Sequence, residues 1–195
     1  VTPFAMLALE DHPARHLNRS ISFARLKSKG RSTALPAIAR PSRIPERLKI
    51  GYFSGDFCVH PVMQLTAKMF ELHDRSSFEI QAFSFGPNKD DERLIKNFDS
   101  FHDVRDMTDE GIAGLARSEG IDIAVDLTGY TQNTRSGILA YRAAPVQVSY
   151  LGYPGSMGAD FIDYLIADST LIPEQSQKFY SEKIVYMPDC YQVSD

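Results

Sequence analysis

From residue 48 onward the chain repeats one rhythm, a short apolar run, a turn and then a helical stretch, and this alternation restricts the fold more than any other feature. "LKIGYFS" (48–54), "FEIQAFSF" (78–85), "IDIAVDLTG" (121–129), "PVQVSYLG" (145–152), "DYLIADS" (163–169) and "EKIVYMP" (182–188) read as strands, with a brief one inside "SFHDVRDM" (100–107). Between them, "PVMQLTAKMFEL" (61–72) sets Met63, Leu65, Ala67, Met69, Phe70 and Leu72 mostly on one helical face. "RLIKNF" and "SGILAYRAA" predict shorter helices. "TDEGIAGLARSEG" predicts a well-marked one, with Thr108 as N-cap, Asp109 and Glu110 in the first turn and Gly120 as the stop. Strands alternating with helices in this way predict a parallel sheet covered on both faces, a doubly wound, Rossmann-like α/β lobe over residues 47–195.

Residues 1–46 have a different character. "DHPARHLNRSISFARLKSKG" places Leu17, Ile21, Phe23 and Leu26 at nearly helical spacing, with Asp11 and Pro13 as start signals and Gly30 as a stop. The following "RSTALPAIARPSRIPERLK" has three prolines among basic residues and reads as an extended connector from an upstream domain, or else as a basic interaction tail.

Composition narrows the function classes. With 195 residues, 43% hydrophobic content and a net charge of -4, the chain can bury one ordinary core, and it lacks the clustered Lys/Arg of a nucleic-acid binder. No apolar run approaches the roughly 18 residues of a membrane span, and no basic-then-apolar leader opens the chain, so the default expectation is a soluble protein of the cytoplasm. Cys58 and Cys190 are too few for a disulfide framework and lack zinc-site spacing. A first residue other than Met and an end just after a strand-like run suggest a piece of a larger protein.

In open parallel sheets, ligands bind beyond the carboxyl ends of the strands, which is where "SGDFCVHP" (54–61) sits, after the first strand of the lobe. Pro61 suits the first helical position, so His60 falls at or beside the N-cap, next to amides and partial positive charge that favour an anion. Asp56 in the same turn can act as a base or hold the histidine's tautomer. The competing reading is a capping turn in which both side chains only satisfy the backbone. Two further loops lie at the same edge: "LTGYTQNTR" (127–135), with Gly129, Tyr130, Thr131 and Arg135, and "YLGYPGSMG" (150–158), with Gly152, Gly155 and Gly158 around Pro154. Each alone is an ordinary turn. Three such loops on one sheet point to a site.

"LKIGYFSGDFCVHPV", "IDIAVDLTGYT", "YRAAPVQVSYLGYPGSMGADFIDYLIADS" and "YSEKIVYMP" together resemble, in order and spacing, the catalytic region of the O-linked N-acetylglucosamine transferase family and its SPINDLY-like members. The resemblance implies the N-terminal lobe of a two-lobed GT-B glycosyltransferase, preceded by tetratricopeptide repeats and followed by a second lobe. It implies inverting, metal-independent transfer of N-acetylglucosamine from UDP to Ser or Thr of a protein acceptor, with the nucleotide sugar as substrate and no cofactor. By the same resemblance Asp56 is a proton acceptor and His60 a donor-sugar contact, while Pro61, Leu151, Gly152 and Pro154 line the sugar and acceptor pocket. Tyr130 and Thr131 join them as substrate-binding candidates from the loop reading.

Two departures stand out. Met6 or a neighbour occupies the place of a further active-site histidine carried by animal members, and Val62 stands where they have a Thr close to the sugar. Both bear on donor choice, and GDP-fucose on the same scaffold is the alternative. A non-catalytic nucleotide- or protein-binding module is the alternative from another class. The diphosphate-binding lysine of the family is expected outside this sequence, so the isolated chain is expected to be inactive.

Overall fold

Side-chain alternation along the central strands sorts the apolar residues into two layers. On β1 (Leu48–Ser54) and β2 (Phe78–Ser84), Ile50, Tyr52, Ile80 and Ala82 face one side while Phe53 and Phe83 face the other. The computed structural model describes residues 2–28, 35, 36, 38, 45–87 and 91–194. Over the described residues the chain runs α1 (Pro3–Leu7), α2 (Pro13–Ser28), β1, α3 (Pro61–Leu72), β2, α4 (Glu92–Ile95), β3 (Ser100–Asp103), α5 (Asp109–Ser118), β4 (Ile123–Asp126), α6 (Gly137–Ala140), β5 (Val146–Ser149), β6 (Tyr164–Ala167), a 3-10 turn (Glu174–Phe179) and β7 (Lys183–Tyr186). The strands form one sheet in the order β3-β2-β1-β4-β5-β6-β7, and every neighbouring pair is parallel. This is the Rossmann-like α/β arrangement that the alternation predicts.

One layer packs α3 and α4 on the sheet through Met63, Phe70, Leu94 and Phe98, which meet Tyr52, Ile80, Val125 and Val148. Aromatic edges knit it together, with Tyr52–Phe70 at 5.0 Å and Phe70–Phe98 at 4.8 Å. The other layer packs α2, α5 and α6 through Ala24, Ile112, Ala116, Ile138 and Leu139, over Phe53 stacked on Phe83 at 4.5 Å.

Local chemistry sets the boundaries. Thr108 caps α5 by accepting from the Gly111 amide at 3.1 Å, as its place in the sequence predicts. β4 is shorter than the predicted 121–129 run, because the Asp126 carboxylate takes the Thr128 and Gly129 amides, each at 2.9 Å, and turns the chain away from the sheet. β5 stops at Ser149 for a related reason: the Gly152 amide bonds back to Tyr150 O at 2.8 Å around Leu151, whose φ is +66°. α1 and the 3-10 turn are additions to the predicted set, too short for a periodic pattern to show.

α2 forms where predicted but packs differently. Its buried positions are Ser20 and Ala24, and Leu26 is 68% exposed. The small residues allow a close approach: a Cβ at Gly158, whose φ is +59°, would lie 2.4 Å from Ile21 N. α2 is thereby packed into the same core as the sheet. Gly30, the predicted helix stop, and most of the proline-containing connector lie outside the described residues.

This contact makes a stability prediction. Gly158→Ala should cost roughly 1–2 kcal/mol from its left-handed backbone alone, and more from the collision with α2. Thermal unfolding should record a lower Tm, and limited proteolysis should show earlier cutting within residues 13–28.

Candidate active site

β1 and β4 are neighbours in the sheet, with β2 and β3 on one side and β5 to β7 on the other. The connections leaving β1 and β4 therefore diverge and open a crevice at their carboxyl ends. Gly55–His60 enters it from β1, residues 127–136 from β4 and residues 150–158 from β5.

The first turn is held from within. The Asp56 amide donates to Ser54 Oγ at 3.0 Å, and the Cys58 amide donates to Asp56 O at 2.6 Å. His60 is the N-cap of α3, and its Nδ1 accepts from the Val62 amide at 3.3 Å. With Nδ1 engaged as acceptor, the neutral ring carries its proton on Nε2. Nε2 is also the atom that faces Asp56, 4.0 Å from Oδ1. The capping and site readings of this turn are therefore compatible: one ring nitrogen closes the helix and the other is presented to the carboxylate. The Asp56 side chain is 15% exposed and that of His60 40%. Burial pushes the Asp56 carboxyl above its ordinary range, and the nearby imidazole opposes this in part.

Thr128 joins the first two loops. Its Oγ1 accepts from the Gly55 amide at 3.1 Å and lies 3.5 Å from Ser54 Oγ. Asp126 sets Thr128 in place through the two amide bonds at the end of β4, and burial raises its carboxyl while those amides oppose the rise. Sequence reasoning named neither residue as part of the site. A carboxylate closing an otherwise apolar strand, "IAVD", was the available signal.

The second and third loops touch directly. A Cβ at Gly152 would lie 2.0 Å from Leu127 O, so only glycine permits this approach. The bond from the Gly152 amide to Tyr150 O closes a γ-turn centred on Leu151, a strained form at positive φ for a residue with a side chain. Asp56 and His60 on the first loop, and Leu151 and Gly152 on the third, are thus both braced through the second. Pro61 is exposed and Pro154 is exposed, while Val62 is half-buried against the α3 layer.

Two sequence candidates are turned elsewhere. Tyr130 is 0% exposed, edge-on to Phe23 at 4.8 Å and tilted on Tyr153 at 5.5 Å, so it presents no surface to a ligand. Its apolar ring fits the gap under α2 better than the polar loop can expose it. Thr131 donates its hydroxyl to Thr128 O at 2.9 Å and stabilises the loop. Arg135 is likewise committed, to Asp109 at 2.9 Å and to Met107 O at 2.6 Å. Cys58 and Val59 line a groove of about 680 Å³ between α3 and α4, which neither Asp56 nor His60 lines.

Residues 12–195 match the family model described as Glycosyl transferase family 41. The probable UDP-N-acetylglucosamine–peptide N-acetylglucosaminyltransferase SEC of Arabidopsis thaliana is 36% identical over 206 aligned residues, which cover 100% of this chain and 21% of that protein. A UDP-N-acetylglucosamine–peptide N-acetylglucosaminyltransferase of Caenorhabditis elegans is 31% identical, over 93% of this chain and 16% of its own length. Among solved structures, a mutant O-GlcNAc transferase of Thermobaculum terrenum superposes with a TM-score of 0.85 at 35% identity, over 95% of this chain and 36% of that one. The chain thus spans about a fifth of the length of these curated relatives.

The environment of Asp56 makes a prediction about pH. A carboxyl whose pKa is higher folded than unfolded favours folding while protonated, and loses that contribution as pH rises from the unfolded 3.8 through the raised value. Asp56→Asn should therefore raise Tm at neutral pH, and the gain should shrink as pH falls toward about 4. A neutral-pH loss of stability would mean instead that favourable partners hold the carboxylate.

Proposed function

The chain belongs to glycosyl transferase family 41, and on that premise we propose that it forms the N-terminal lobe of an inverting, metal-independent enzyme that transfers N-acetylglucosamine from UDP to Ser or Thr hydroxyls of a protein. The observation that carries this reading is the Asp56–His60 pair at the switch point of the sheet, with a half-buried carboxylate facing a histidine whose free nitrogen is fixed by a helix cap.

In this reading the acceptor oxygen attacks the anomeric carbon from the face opposite the diphosphate. The bond from that carbon to the diphosphate oxygen breaks, and its electron pair leaves with UDP. Asp56 takes the hydroxyl proton, directly or through one water. A carboxyl raised by burial is a better proton acceptor than an exposed one, because its pKa moves toward the working pH. His60 Nε2–H donates to an oxygen of the donor sugar. The amino end of α3 adds partial positive charge near the departing diphosphate. The larger share of leaving-group stabilisation comes from a second lobe outside this sequence, so the isolated lobe is not a competent transferase. Leu151, Gly152, Pro154, Pro61 and Val62 border the sugar and acceptor pocket.

Asp56→Ala and His60→Ala, each made in the full-length enzyme, should lower kcat by about 10²- to 10⁴-fold in a peptide glycosylation assay. Transfer at the wild-type rate in both variants would remove this turn from the active site and favour a binding module without catalysis. The isolated chain, titrated with UDP-N-acetylglucosamine and with GDP-fucose by calorimetry, should bind either one only weakly. Tight binding of GDP-fucose alone would reassign the donor.

A further inference from the structure

The loop of residues 150–158 is braced at its front by the contact of Gly152 with Leu127 and at its back by an acid that none of the chemistry above uses. Glu182, just ahead of β7, is 5% exposed. Its Oε1 accepts from the Met157 amide at 2.6 Å and its Oε2 accepts from the Ser156 hydroxyl at 2.7 Å. Ser156 Oγ in turn accepts from the Gly158 amide at 3.1 Å and from the Ser181 amide at 3.2 Å. One carboxylate and one hydroxyl thus satisfy three backbone donors and fix the back of the loop to the start of a strand. No Lys or Arg among the described residues forms an ion pair with Glu182. A carboxylate buried without a countercharge is costly, and it is sustained here by charge-assisted bonds to neutral donors. Three phenols lie around it: burial raises the pKa of Tyr130, Tyr153 and Tyr180, and the charge of Glu182 contributes to each rise.

The residues that Glu182 holds lie under the cleft. Met157 is 0% exposed, and its Sδ would be 3.5 Å from a Cβ on Gly129, while Tyr153 Cβ would be 2.4 Å from the same point. Gly129 is bonded to Asp126, whose other amide partner, Thr128, holds the Asp56 turn. A shift of Met157 therefore reaches both the front of its own loop and the loop that steadies Asp56.

We propose that Glu182 is a positioning residue, which holds the 150–158 loop from behind through Met157 N–H and the Ser156 hydroxyl so that Leu151 and Gly152 keep their register at the cleft. The mechanical part stands on the geometry alone; its consequence for turnover rests on the function proposed above. The shape of the site makes a graded demand. Gln at position 182 keeps an acceptor for the Met157 amide but turns an NH2 group toward a Ser156 Oγ that already accepts from two amides, so half of the clamp is retained. Ala removes both bonds.

Amide hydrogen exchange on this chain tests the mechanical part. Glu182→Ala should speed exchange at residues 151–158 by about tenfold or more while α3 and β2 amides are unchanged, and Glu182→Gln should fall between Ala and wild type. If Glu182→Ala fails to fold, Ser156→Ala serves, because it removes the Ser156 bonds to Glu182 and to the Gly158 and Ser181 amides and leaves the Met157 bond. Unchanged exchange in the loop overturns the proposal. In the full-length enzyme, Glu182→Ala should raise the acceptor KM by about fivefold or more, with Glu182→Gln between Ala and wild type. A merely structural loss would lower the active fraction, and hence apparent kcat, at unchanged KM, and that result overturns the link from the clamp to turnover. Leu151→Ala separates the two ideas. If Leu151→Ala leaves KM unchanged while Glu182→Ala still loosens the loop, the clamp stands and the pocket reading falls. If Leu151→Ala raises KM and Glu182→Ala changes neither quantity, the clamp falls and the pocket reading stands.

Discussion

The parallel pairing of β1 with β4 is the constraint on which the cleft depends. Ile50 to Phe53 lie in register with Ile123 to Asp126, so the two strands end level and their loops leave the sheet at the same height. From that level edge a single hydroxyl, that of Thr128, reaches the backbone at Gly55. Phe53 and Asp126 are partners on one face of the sheet, so a slip of β4 by one residue would turn Asp126 to the opposite face, and the carboxylate that holds the Thr128 and Gly129 amides would be lost. The apolar layers on each side of the sheet thus do more than stabilise it. They fix the register that sets the position of two loops.

The strands were legible because each is a short, apolar, β-branched or aromatic run closed by glycine, proline or a small polar residue. The helix N-termini were legible for a similar reason, since Thr108 and His60–Pro61 carry capping chemistry in the residues themselves. What could not be read was direction. Tyr130 sits in a polar, glycine-bearing loop, and only the arrival of Phe23 from a helix more than a hundred residues away turns its ring inward. Glu182 reads as a surface charge in "YSEKIVY", because nothing nearby in sequence reveals that Ser156 and Met157 will be waiting for it. The same holds for α2, where apolar spacing named Leu17, Ile21, Phe23 and Leu26, of which Phe23 packs on the core and Leu26 is exposed, while the most buried positions are Ser20 and Ala24. Local pattern gave elements and edges, and long-range packing decided which side chains meet.

Three acids serve this edge of the sheet in three different environments. Asp126 is fully enclosed and spends one oxygen on two backbone amides. Glu182 is enclosed and divides its oxygens between an amide and a hydroxyl. Among the described residues, the Asp56 carboxylate has no such amide or hydroxyl donor and an imidazole at 4.0 Å. The two enclosed carboxylates are occupied in holding backbone, which is why the proposed mechanism gives the proton to Asp56.

Ser20 and Gly158 have a wider implication. Where helix and loop backbones approach until no side chain fits between them, neither can be exchanged without the other, so the segment ahead of the connector and the loop at the cleft are bound to change together. A chimera assembled by cutting at the connector, with its first 28 residues taken from a distant relative, would carry a helix shaped for a different loop. The fault would show at the mouth of the cleft, far along the chain from the splice.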